Sequence, residues 1–123
     1  MAKKKATAAS IESDLREYAM RYPETHEDFP WGERAIKVKG KAFIFMRATE
    51  SEISLSVKLP QSRDMAIDLP WAEPTHYGLG KHGWVTAKLD PKDAPVDLIK
   101  AWIDESFRAV APKTLLKKMA AEG

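Results

Sequence analysis

The sequence predicts an α+β domain: an antiparallel sheet with helices packed on one of its faces. Three observations lead there. Apolar residues recur at helical spacing near both ends of the chain, around residues 11–22 and 96–110. Between them lie four strand-like runs, two of which alternate cleanly between apolar and polar residues. A tight turn at Gly40 joins two of these runs as a hairpin, the signature of antiparallel neighbours.

The elements follow in order. Ser10 caps a first helix, with Glu12 and Asp14 in the first turn where the helix dipole favours carboxylates. Ile11, Leu15, Tyr18, Ala19 and Tyr22 form its apolar stripe, and Pro23 stops it. Residues 23–32 read as an acidic, proline-flanked loop whose Phe29 and Trp31 plug one end of the core. Residues 35–39 and 42–47 are the arms of the hairpin. Residues 53–58 place Ile53, Leu55 and Val57 inward, and Pro60 ends the run. A short helix over about residues 62–69 is bounded by Pro70. A glycine-rich loop then delivers residues 84–89, with Val85, Ala87 and Leu89 on one face. Asp93 or Ala94, with Pro95 in the first turn, starts the longest helix. Its stripe is Val96, Ile99, Trp102, Ile103, Phe107 and Val110. After Pro112 a short basic helical tail completes the chain.

The 123 residues suit one domain, residues 10–112, between a flexible basic N-terminal tail (1–9) and the C-terminal tail (113–123). With 44% hydrophobic and 31% charged residues, the composition is that of an ordinary globular protein. The absence of cysteine removes disulfides, thiolate catalysis and thiolate metal sites together. The N-terminus has lysines at 3–5 but no apolar segment, so it does not read as a signal peptide. No stretch approaches the length of a membrane-spanning helix, and a cytoplasmic monomer is expected.

Tyr77-Gly78-Leu79-Gly80-Lys81-His82-Gly83-Trp84 contains a literal G-x-G-x-x-G. A dinucleotide fingerprint needs a strand before it and a helix after it, so that a pyrophosphate meets a helix N-terminus. Here a strand follows and Pro70 and Pro74 precede. The P-loop reading fails too, because no Ser or Thr follows Lys81. What remains is a glycine loop entering a strand. Gly78, Gly80 and Gly83 with Lys81 form a candidate anion or small-ligand loop, provided successive amides point outward.

Charge is the stronger signal. The predicted strands and their turn carry Arg34, Lys37, Lys39, Lys41, Arg47, Lys58 and Lys88 but no Asp or Glu, so all 18 acidic residues fall in helices and loops. If the helices cover one face, the other presents Lys37, Lys39, Lys58 and Lys88, with Trp84 at its rim and Lys81 and His82 on the adjacent loop. Point charges beside an aromatic ring are what a phosphate backbone and its bases need. Lysine on the wet face of a sheet also discourages strand-to-strand aggregation, so segregation alone leaves both readings open.

No catalytic constellation emerges. His26, His76 and His82 lack metal-ligand spacing, and His26-Glu27-Asp28 reads as a solvated acidic loop. Ser62 and Ser106 lack a nucleophile elbow, and Ser106 is expected to bond a backbone carbonyl or to face a neighbour. Asp104-Glu105 reads as a solvated helix flank. No cofactor, metal or catalytic residue is assigned, and the protein is expected not to be an enzyme.

Several segments resemble the MmcQ/YjbR-like family. They are the first helix ending at Tyr22-Pro23, the hairpin Val38-Lys39-Gly40-Lys41-Ala42-Phe43, and Leu55-x-Val57-Lys58-Leu59-Pro60. Tyr77-Gly78-Leu79-Gly80-Lys81-x-Gly83-Trp84-Val85 and the long helix with Ser106-Phe107 complete the set, spanning about residues 10–112. The resemblance implies a frataxin-like α+β fold and, by analogy with a "double wing" domain, DNA binding. Frataxin-like iron binding does not carry over, since Arg16 and Arg21 interrupt the acidic residues of the first helix. The expected function is non-enzymatic binding of DNA, or RNA, through Lys37, Lys39, Lys58, Lys81, His82, Trp84 and Lys88. The alternatives are a ligand module on the 77–84 loop and a protein-interaction domain.

Overall fold

Six strands pair into one antiparallel sheet in the computed structural model, which describes residues 7–29, 33–76 and 78–122. In chain order they are β1 (Thr25–Asp28), β2 (Arg34–Val38), β3 (Lys41–Ala48), β4 (Ile53–Lys58), β5 (Ala72–Pro74) and β6 (Trp84–Leu89). Across the sheet the order is β1-β2-β3-β4-β6-β5. The helices are α1 (Ala8–Met20), α2 (Arg63–Ile67), α3 (Val96–Val110) and α4 (Lys113–Glu122), with a 3₁₀ turn at Leu79–His82. Helices α1 and α3 lie against β3 and β4, and α2 against β5 and β6. The predicted α+β class, with helices on one face, is the observed one.

The core lies between sheet and helices. Ile36, Ile44, Met46, Leu55, Val57, Val85 and Ala87 supply its sheet side, and Leu15, Ile99, Ile103 and Phe107 its helix side. Strand alternation accounts for most of this, with one interruption. Ile36 pairs with Ile44 but Lys37 pairs with Ala42, so Phe43 is an extra residue opposite neither. This bulge explains how Phe43 and Ile44, adjacent in sequence, are both fully buried. Phe43 packs edge-on against Phe107 and Tyr22.

Several expectations are corrected. Residues 23–32 are not all loop: β1 forms there and pairs with β2 from Thr25↔Val38 to Asp28↔Ala35. Strand β5, between Pro70 and Thr75, was also not foreseen. Helix α1 starts one turn early, because Thr7 caps it and Ser10 closes a capping box from the third position. The basic C-terminal segment is not a separate tail, since Leu115 of α4 is buried with the core. Lys3–Lys5, Trp31 and Tyr77 lie outside the described residues.

Candidate functional site

The face of the sheet opposite the helices is the open one. Register fixes its occupants: His26 and Asp28 on β1; Lys37 on β2; Phe45 and Arg47 on β3; Ser54, Ser56 and Lys58 on β4; Trp84, Thr86 and Lys88 on β6; Glu73 on β5. Phe45 stands opposite Ser56 and Arg47 opposite Ser54. Ser54 in turn faces Lys88, Ser56 faces Thr86 and Lys58 faces Trp84. Hydroxyls run across the centre, Ser56 to Thr86 at 2.8 Å and Thr86 to Thr75 at 2.9 Å. A shallow depression of about 250 Å³ opens beside them, lined chiefly by Phe45, Arg47, Ser54 and Ser56, with Glu33 and Glu52 of the flanking loops.

Of the predicted lysines, Lys37, Lys58 and Lys88 therefore share one exposed plane. The acid-free sheet does not survive, because β1 and β5 bring Glu27, Asp28 and Glu73 into it. Asp28 takes a 3.0 Å ion pair from Lys37, and that bond together with the Phe29 amide holds its carboxyl below the usual range. Glu73 lies 3.9 Å from Lys88. Lys39 is off the plane, in the turn of the β2–β3 hairpin, where it pairs with Glu24 at 2.7 Å. Such exposed pairs are worth only about 0–1 kcal/mol. Arg47, Lys58 and Lys81 have no carboxylate at ion-pair distance among the described residues.

Glu27 belongs to the other face. It receives Arg16 at 2.8 Å from α1 and also Arg34, which reaches Glu12. Burial works against its ionisation, but the two guanidiniums outweigh it and hold the carboxyl below its ordinary range.

The glycine loop is structural. Gly83 has φ +88°, and a side chain on Gly80 would meet the Pro74 Cβ at 2.9 Å and the Thr75 carbonyl oxygen at 3.0 Å. The amides of Leu79, Gly80, Lys81 and Gly83 donate to His76, Thr75, Gly78 and Gly80 carbonyls. An anion meets none of those four, which removes the geometry the ligand-loop alternative required. Lys81 and His82 are exposed on the 3₁₀ turn. Trp84 is only 9% exposed and packs on Phe45 at 5.6 Å, so it buttresses the face rather than offering a free ring. Trp71 packs on Trp102.

Other polar groups serve the fold. Ser106, wholly buried, accepts from the Lys58 amide at 2.8 Å and donates to the Phe43 carbonyl. Glu105 accepts from the Gln61 and Ser62 amides and the Ser62 hydroxyl, holding the start of α2 to α3. Asp104 accepts the Tyr22 hydroxyl at 2.6 Å; burial first, and that bond second, push the phenol's pKa upward. These carboxylates are fasteners, not the solvated flank the sequence suggested. The residues that sequence reasoning left out of the site are Phe45 and Arg47.

Comparison with known proteins bears on fold and family. The YjbR family model matches residues 20–109. A solved protein from Pseudomonas syringae superposes with a TM-score of 0.62 at 17% identity, covering 80% of this chain and 97% of that one. At that identity it speaks for the fold alone. No curated protein matches the chain.

Proposed function

This chain belongs to the YjbR family, and on that premise we propose that it binds nucleic acid, without catalysis, through the open face of its sheet. One observation carries the reading. Lys37, Arg47, Lys58 and Lys88 project from the face that α1, α2 and α3 leave bare, and among the described strand residues only Asp28 and Glu73 oppose them there. Both carboxylates sit on the outermost strands, while Arg47 and Lys58 on β3 and β4 have no carboxylate at ion-pair distance among the described residues, although Glu33 and Glu52 line the depression beside Arg47. Lys81 and His82 extend it at the Lys58 end, where the Leu59 amide bonds the Gly83 carbonyl.

The test is a titration of mixed-sequence DNA, single- and double-stranded, at two salt concentrations. Four engaged phosphates predict roughly a hundredfold loss of affinity between about 50 and 200 mM salt, through counterion release. Binding that ignores salt, or no binding at the lower concentration, would reject the proposal.

A further inference from the structure

The geometry points to single-stranded rather than duplex nucleic acid, with one nucleotide seated in the depression on β3 and β4, its base against Phe45 and its phosphate at Arg47. This rests on the open-face reading above and specifies its ligand. Phe45 and Arg47 are two residues apart on one face of β3, so their stems lie about 6.8 Å apart, a separation one nucleotide spans. The Phe45 ring is half-buried and packs beside Trp84, with the two rings 5.6 Å apart and tilted by 49°. Arg47 is exposed and unpaired among the described residues, although Glu33 and Glu52 line the same depression. Opposite them, Ser54 and Ser56 place hydroxyls where a base edge or sugar would lie.

Two features disfavour a duplex. A ring on an open sheet stacks only with a base that is already unstacked, as in sheet-based readers of single strands. In addition, a duplex presents one charge per about 1.7 Å along its axis. Laid across this sheet it would meet Asp28 on β1 and Glu73 on β5. A single strand following β3 and β4 passes Arg47 and Lys58 and avoids both edges.

The experiment is fluorescence anisotropy at low salt with a labelled 12-nucleotide oligothymidylate and with a mixed-sequence duplex of equal length. The protein is the full chain, its Phe45→Leu and Arg47→Gln variants, and Lys117→Gln on α4 as a charge-matched control. The expected result is tighter binding of the single strand, weakened about tenfold by either open-face variant and unchanged by the control. Arg47 is exposed, so its variant reports on binding even if Phe45→Leu perturbs packing; thermal melts verify both. Equal or tighter duplex binding, or single-strand binding that both variants leave intact, overturns this inference while the broader reading stands. Failure of both nucleic acids to bind overturns the two together.

Discussion

The Ser106 hydroxyl answers two main-chain groups that the β3 bulge leaves without ladder partners. Beyond Ile44↔Val57 the β3–β4 pairing stops, and Ser106 fits between the Lys58 amide and the Phe43 carbonyl. Ser106→Ala strands both in the core, where an unmet group costs about 1–3 kcal/mol. A loss of about 2 kcal/mol is expected in urea denaturation; an unshifted midpoint would contradict this role. The spacing from Ile99 through Ile103 to Ser106 places the serine on the apolar stripe, the one signal that it faces inward. Gly80 is the second such position. Its alanine variant drives a Cβ into a backbone oxygen that cannot swing away, for an expected loss of about 1–3 kcal/mol, read from a thermal melt.

Among the elements, β1 is the one that sequence pattern conceals. Thr-His-Glu-Asp contains little that favours a strand, yet it pairs with β2 from Ala35 to Val38 and lodges Glu27 between Arg16 and Arg34. The Glu27 carboxyl is held below its ordinary range, so it stabilises the fold above that range, and the contribution disappears as pH falls through its folded value. Glu27→Gln is therefore expected to be less stable than the parent at pH 7 and to converge with it as the pH falls below the usual carboxylate range. A gap of constant size across that range would contradict the ion-pair account. Strand β5 hid for another reason, since it is only three residues long, closely follows Pro70 and itself ends in Pro74. At the other end of the fold, Thr7→Ala removes the α1 cap, for about 1 kcal/mol in denaturant titration.

For the molecule as a whole, charge placement matters more than net charge. The chain is only +2, yet its sheet puts cations on the central strands of one face and acids on the edges. If the open face takes phosphates, removing Arg47 or Lys58 lowers the salt slope of binding by about 0.7–0.9 per contact. Removing Lys37 or Lys88 is expected to do less, since Asp28 and Glu73 already shadow them. Slopes that fall equally at all four positions would argue against a centred footprint.

The α+β class, the helix-covered core and three of the candidate cations on the open face were legible from the chain alone, because periods of two and 3.6 residues are local properties. Which side of β3 faces water was not. A plain hairpin about Lys39-Gly40 pairs Ile36 with Phe43 and turns Phe43, Phe45 and Arg47 toward the core. The single bulge at Phe43 reverses that, burying Ile44 and Met46 and delivering Phe45 and Arg47 to the open face. Nor can the chain show that Glu24, Asp28 and Glu73 come to lie beside Lys39, Lys37 and Lys88, as two of them ride on edge strands that exist only by pairing. Local pattern sets which residues are buried. Register, a property of two strands at once, sets which of them meet.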